Sequence, residues 1–441
     1  MTFSDVLGTS VLLGDGAMGT MIQAASLPVS ALDGCNDILN LTSPDTIKAI
    51  HGAYLAAGSD WVETNTFGVN LTALADYGLV DQAGQIARAG AALAREAADA
   101  ATTPDWPRFV VGSLGPGTKL PTLGQVSFGA LRDAYQTVTA GLLEGGVDAV
   151  QVETCQDLLQ VKAAVIGARR AIAGAGRVVP VIVCVTIEAN GAMLLGTPVE
   201  AAVAALRHLG IDALGLNCAT GPDLMAGPLR QLSRICPLPV VAMPNAGLPE
   251  LGTNGAVYPL TPDDFAQAMA GFASDLGLAS VAGCCGTTPA HIAALRAALP
   301  RGRQVAARQV EVQEAVSSLY EAVDVRQDVS YLAVGERANA SGSKAFREAM
   351  VARRWDDCVD IARRQGGAGA HLVDLCVDQV GSDGVADMSA LVDRFATAVT
   401  SPLVLDSSKP SVLLAGLEHA PGRCLVNSCN LEDGDGPGSK Y

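Results

Sequence analysis

The chain predicts a (β/α)8 TIM barrel followed by a partial second β/α barrel, and three observations carry that reading. Through the first 300 residues, short β-branched apolar runs ending in Gly or polar residues alternate with helical stretches. There are eight such runs, at about 30 residues per strand–helix unit, which is the count of a barrel. The same alternation resumes near residue 331 and yields only four more units by Tyr441.

The expected strands of the first part are Val11–Asp15, Trp61–Thr64, Phe109–Ser113, Ala149–Glu153, Val179–Ile187, Ala213–Asn217, Val240–Met243 and Ala279–Gly283. Helix starts are marked by Ser43-Pro44, Thr197-Pro198, Thr261-Pro262 and Thr288-Pro289, a capping hydroxyl before a proline at the first helical position. Thr261 with Asp264 resembles a capping box. Gly58, Gly210 and Gly277 stand where helices should stop. An open doubly wound sheet is the rival fold. The Gly14–Gly19 stretch only superficially resembles a nucleotide turn, because Asp15 inside it would repel a pyrophosphate.

Residues 301–330 read as a connector between a domain at 1–300 and a second at 331–441. The apolar spacing of Val310 to Val325 predicts a helix there. Strands of the second domain are expected at Tyr331–Gly335, His371–Asp374, Leu403–Asp406 and Cys424–Asn427, with a loose tail from Gly434. Four units make the N-terminal half of a β/α barrel, so this domain reads as truncated or as a sheet with an open edge.

Composition narrows the function. The 441 residues are 49% hydrophobic and 17% charged, which suits a globular chain of more than one domain. No apolar run reaches the roughly 20 residues of a membrane span, and Met1 to Leu13 lacks a basic leader, so a cytoplasmic protein is expected, with no membrane partner. A net charge of −16 and a pI of about 4.7 argue against nucleic acid as a partner. The 11 cysteines, an odd number without secretory features, argue against a disulfide framework and leave thiols free for a metal.

The chemistry concentrates at strand ends, where such barrels keep their sites. Cys284 and Cys285 lie between glycines after the eighth run, and Cys218 follows the sixth. One cysteine alone is usually a small packing residue. An adjacent pair and a third at a near-neighbouring strand tip can hold one zinc, leaving a fourth position open for a soft ligand such as a substrate sulfur. Asp15, Glu63 and Glu153 also end strands. At the barrel mouth they could bind an ammonium group, with backbone N–H groups of Gly16–Thr20 receiving a carboxylate. A single strand-end acid is as readily a cap or a solvated loop residue. The histidines read as surface or packing residues, with His291 the only spare ligand.

These motifs together resemble a known family. Asp15-Gly16-Ala17-Met18-Gly19-Thr20, Glu63-Thr64-Asn65-Thr66-Phe67, Val152-Glu153-Thr154, Gly215-Leu216-Asn217-Cys218 and Gly283-Cys284-Cys285-Gly286-Thr287 resemble the homocysteine S-methyltransferase domain, over roughly residues 10 to 300. The resemblance implies a zinc barrel in which Cys218, Cys284 and Cys285 bind the metal. It implies homocysteine bound by Asp15, Gly16, Met18, Glu153 and Asn217. Gly335–Ser343 looks like the opening of the pterin-binding domain of the cobalamin-dependent methionine synthases, and 374–378, 406–408 and 426–428 continue that match in order. Cys376 stands where that family commonly has Asn. By resemblance, Asn339, Ala340, Ser341, Asp374, Asp406 and Asn427 face the pterin of 5-methyltetrahydrofolate. The implied reaction forms methionine from homocysteine, with methylcobalamin as donor, recharged from 5-methyltetrahydrofolate. The cobalamin-binding and reactivation modules would lie in cis beyond Tyr441 or in trans. Two alternatives stay open: a methyltransferase using betaine or S-methylmethionine, and a structural zinc barrel without catalysis.

Overall fold

In the computed structural model, which describes residues 1–25, 34–252, 255–429, 434 and 436, eight parallel strands surround the first core. They are β1 (Leu12–Leu13), β2 (Trp61–Glu63), β3 (Phe109–Leu114), β4 (Ala149–Cys155), β5 (Val181–Val185), β6 (Ala213–Asn217), β7 (Val240–Met243) and β10 (Ser280–Val281). Their order is β1-β10-β7-β6-β5-β4-β3-β2. The β1/β2 seam is bridged by Asp60. Its N–H donates to the Leu13 carbonyl at 2.6 Å, and its Oδ2 accepts the Leu13 N–H at 2.8 Å. Arg296 neutralises the same carboxylate at 2.6 Å. Side chains alternate along each strand. Trp61, Phe109, Ile182 and Val241 fill the barrel, while Val62, Val110, Val183 and Val240 pack under the helices.

The expected helix ends hold in part. Gly58, Gly210 and Gly277 all take left-handed φ, of +110°, +71° and +59°. Pro44, Pro262 and Pro289 open their helices, but Pro198 is itself the cap of the helix Val199–Leu206. The Thr261 hydroxyl accepts the Asp264 N–H and donates to the Asp264 carboxylate, so the capping box is replaced by a side-chain pair.

The helix expected over Val310 to Val325 is an antiparallel hairpin instead, with β11 at Ala315–Ser317 and β12 at Ala322–Asp324. The Ser318 hydroxyl accepts the N–H groups of Tyr320 and Glu321, which folds a turn in mid-segment and competes with helical bonding. Val316 and Val323 then sit on a β surface against Leu372 and Val404. A smaller antiparallel hairpin, β8 (Glu250–Gly252) and β9 (Gly255–Val257), follows β7.

The second sheet is parallel, in the order β13 (Val334–Asn339), β14 (Leu372–Cys376), β15 (Leu403–Asp406) and β16 (Leu425–Asn427). β13 lies later than expected because pairing with β14 continues past an irregularity at the charged Glu336-Arg337 pair, which breaks the apolar run in sequence. The expected tail lies outside the described residues apart from Gly434 and Gly436. The two sheets are tied together by Lys162. Its buried ammonium donates to the carbonyls of Ala420 at 2.9 Å and Gly422 at 2.5 Å. Arg132 and Glu418 pair beside it at 3.1 Å. Among the described residues no helix is long and apolar enough to cross a membrane.

Candidate metal and substrate site

The three cysteines meet because β7 lies between β6 and β10 and its end clasps both neighbours. The Cys218 N–H donates to the Met243 carbonyl at 3.0 Å, and the Cys284 N–H to the Pro244 carbonyl at 2.9 Å. The Ala246 N–H donates to the Cys285 carbonyl at 2.9 Å. Gly283 has no room for a side chain, since a Cβ there would collide with Thr287. Cys218 and Ala219 take left-handed φ of +59° and +52°. Non-glycine residues reach that region at a cost of about 1–3 kcal/mol each, held where the surroundings over-determine them.

All three sulfurs lie within 4.8 Å of one another, and the Cys218 and Cys285 sulfurs are 3.9 Å apart. Tetrahedral zinc with Zn–S near 2.3 Å requires sulfurs about 3.8 Å apart, so the donor set fits that ion. Hydrogen bonds from Cys218 and Cys284 hold the Cys285 thiol well below its ordinary range, while the Cys218 and Cys285 contacts push Cys284 far above it. His291 is not part of this cluster. Its Nδ1 is 3.0 Å from the Thr288 hydroxyl, and its Nε2 donates to the Leu260 carbonyl at 3.1 Å, so it caps the helix Pro289–Ala298 instead of ligating.

Beside the cysteines opens a cavity of about 310 Å³. Asp15, Gly16, Met18 and Glu153 line it, along with all three cysteines. Asp15 is buried. Its Oδ2 accepts the Glu63 N–H at 3.0 Å, and its Oδ1 has no protein partner. Ser113 donates to one Glu153 oxygen, and the Asn217 amide donates to the other at 3.2 Å. Asn217 is fully buried and sits behind Glu153. It also accepts the Thr154 N–H at 2.9 Å and donates to the Thr154 hydroxyl at 2.8 Å. Those bonds hold Thr154 at a φ of +57°, a strained value for a β-branched residue. Burial raises the Asp15, Glu63 and Glu153 carboxyls, and mutual repulsion adds to the first two. A cationic group placed among them would relieve both effects.

Sequence reasoning missed Gln151, Ser113 and Tyr54. Gln151 precedes Glu153 by two on β4, so it shares the inward face and reaches Glu63. Tyr54 comes from the helix Pro44–Ala57, and its hydroxyl donates to the carbonyls of Ala17 at 3.1 Å and Thr287 at 3.2 Å. That bond joins the two glycine-rich loops and had no local sign.

Residues 12–299 match the family model for homocysteine S-methyltransferase. The chain belongs to the homocysteine S-methyltransferase family. Residues 335–438 match the model for pterin binding enzymes. Over 99% of its length the chain is 55% identical to a methionine synthase of Mycobacterium tuberculosis and 54% identical to one of Mycobacterium leprae. It spans just over a third, 37%, of the length of each. The metallated crystal structure of the homocysteine methyltransferase MmuM from Escherichia coli superposes with a TM-score of 0.51 at 26% identity, covering 65% of this chain and 96% of that one. This homocysteine S-methyltransferase unit thus has its fold among experimental structures.

A second polar cluster ends the four-stranded sheet. The Asn339 amide donates to Asp374 at 2.9 Å and to Asp406 at 3.4 Å. Its carbonyl oxygen accepts the N–H groups of Ser341 and Gly342, both at 2.9 Å. Burial pushes the Asp374 carboxyl up to about 6. Asn427 is the register partner of Asp406 and is exposed. Ala340 is buried and turned away, its carbonyl accepting from Arg347 at 2.7 Å. Cys376 lies beside Asp406 and burial raises its thiol.

Proposed function

We propose that the chain carries two modules of a methionine-forming methyltransferase: a homocysteine barrel at 1–300 and a pterin-binding unit at 331–441, joined by the connector 301–330. The observation that carries this is the convergence of three cysteine sulfurs within 4.8 Å beside a cavity lined by Asp15 and Glu153. Cys218, Cys284 and Cys285 would hold zinc, whose positive charge keeps a coordinating thiol ionised at neutral pH. Asp15 and Glu153 receive the homocysteine ammonium, the open Asp15 Oδ1 being the first acceptor. Backbone groups of Gly16 and Met18 face its carboxylate, and Asn217 fixes Glu153 from behind. The homocysteine thiol, its proton lost, would displace the methyl group from its donor: the carbon–sulfur bond forms as the methyl–donor bond breaks, the electron pair of the broken bond leaves with the donor, and methionine results.

The methyl donor in this reading is methylcobalamin, recharged from 5-methyltetrahydrofolate. A pterin edge presents paired donors that Asp374 and Asp406 can accept, with Asn339 between them. That cluster favours a folate donor over betaine or S-methylmethionine. Cobalamin-binding and reactivation modules would act in cis or in trans. The thiolate chemistry suits a reducing compartment, the cytoplasm. Cys284→Ser is expected to lose zinc and homocysteine binding together, read by metal analysis and calorimetry. Full zinc with unchanged homocysteine affinity in that variant would remove the basis of the reading.

A further inference from the structure

The stretch Glu63-Thr64-Asn65-Thr66-Phe67 runs out from the end of β2, and the reaction above gives its last residue no role. The backbone on both sides of Phe67 is pinned. The buried Asn40 amide donates to the Asn65 carbonyl at 2.7 Å, and the Thr66 hydroxyl donates to the Ser113 carbonyl at 2.7 Å. The Gly68 N–H donates to the buried Asp37 carboxylate at 2.9 Å. Gly115, the residue after β3, backs Phe67 closely: a Cβ there would collide with the Phe67 carbonyl oxygen and ring. Phe67 nevertheless stays 46% exposed, and it lines the same cavity as the three cysteines. Asp15 and Glu153 are buried, so they form the depth of that cavity and Phe67 its outer wall. A lone exposed apolar side chain is ordinary on a surface. This one is mounted on a hydrogen-bonded loop at a reaction cavity, which preorganises it for a contact.

We propose that Phe67 is a docking contact for the methyl donor, its ring packing against the corrin macrocycle while the methyl group is presented to the homocysteine sulfur. The inference rests on the methylcobalamin reading above and deepens it. Size decides the arrangement. A cavity of about 310 Å³ holds an amino acid as small as homocysteine. A corrin with its peripheral amide side chains is far larger and cannot follow it in. The methyl carbon must still reach the sulfur, which bonds to it as the methyl–donor bond breaks and the electron pair stays with the donor. The macrocycle therefore lies across the cavity opening with its methyl face inward. Among the described residues Phe67 is the single aromatic side chain lining the cavity. Apolar area removed from water and contact between flat rings both favour the docked donor. A donor small enough to enter, such as betaine or S-methylmethionine, has no need of this outer contact.

The test measures methyl transfer from free methylcobalamin to homocysteine by the zinc-loaded 441-residue chain and its variants Phe67→Ala, Phe67→Leu and Phe67→Tyr. Phe67→Ala is expected to raise the KM for methylcobalamin about tenfold, the loss of one aromatic contact. Its zinc content and homocysteine affinity should match the wild type. Phe67→Tyr keeps the ring and should keep the wild-type KM. Phe67→Leu keeps apolar bulk against Gly115 without the flat face and should raise the KM, and it is the deciding variant if Phe67→Ala loses its zinc. An unchanged KM in the deciding variant overturns the inference, as does a KM in Phe67→Tyr as high as in Phe67→Ala. A fall in homocysteine affinity with the donor KM unchanged would assign the ring to the amino acid and overturn it too. A wild-type chain that transfers no methyl group from methylcobalamin overturns the donor reading itself, and this inference with it.

Discussion

Glu153 shows how much of the site is decided one residue at a time. Its carboxylate is buried, takes one hydrogen bond from Ser113 and one from Asn217, and borders the same cavity as Asp15. Removing one partner of a buried, hydrogen-bonded charge pair costs about 2 kcal/mol or more, on the order of 30-fold in binding. Glu153→Gln is therefore expected to weaken homocysteine binding by about that factor or more while zinc content stays unchanged. Calorimetric titration of the zinc-loaded variant checks it, and equal affinity would contradict the assignment. The strand-end acids and the cysteine trio were legible in sequence because barrel strands deliver their last residues to one face. Tyr54 was not. Its hydroxyl reaches the Thr287 carbonyl across 233 residues, and no local pattern encodes such a meeting. His291, read as a packing residue and only as a spare ligand, is a helix cap, with Thr288 and Leu260 taking both its nitrogens.

Among the elements, the helix Pro44–Ala57 carries a titratable liability. His51 within it is fully buried, and neither ring nitrogen has a protein partner. Burial lowers its imidazole from 6.5 to about 4. The lowered value means that His51 contributes stability that is complete above the unfolded value and is lost as pH falls through about 4. The window is thus from about 6.5 down to about 4, and the total is roughly 3 kcal/mol at 1.36 kcal/mol per unit. His51→Leu should remove that loss and the unsatisfied nitrogens. Denaturant midpoints of the two proteins should diverge between pH 6.5 and 4, and parallel curves would contradict the account. The elements of the first barrel were readable because each strand is a short apolar run stopped by Gly or polar residues. The connector was not. Its apolar spacing suits a helix and a hairpin alike, and the Ser318 turn decided the outcome.

For the whole molecule, the two sheets share one buried cation. Lys162 sits on the outer face of the first barrel, yet its acceptors, Ala420 and Gly422, belong to the second unit. Lys162→Met keeps the length and apolar stem but leaves both carbonyls without this donor, at about 1–3 kcal/mol for buried unpaired groups. Faster protease cleavage within residues 301–330 is the expected result, and an unchanged cleavage rate would show that the latch contributes nothing. Nothing in the sequence marks Lys162, since its carbonyl partners come from the second unit. The central claim is that the cysteine cluster and its cavity form a working methyl-accepting site. Its most direct test is methyl transfer from added methylcobalamin to homocysteine by the zinc-loaded chain, followed in the cobalamin spectrum. Turnover that requires both zinc and homocysteine, and that disappears in Cys284→Ser, is the predicted result. A chain that binds zinc and homocysteine yet transfers no methyl group, or one whose turnover survives the loss of zinc, would contradict it.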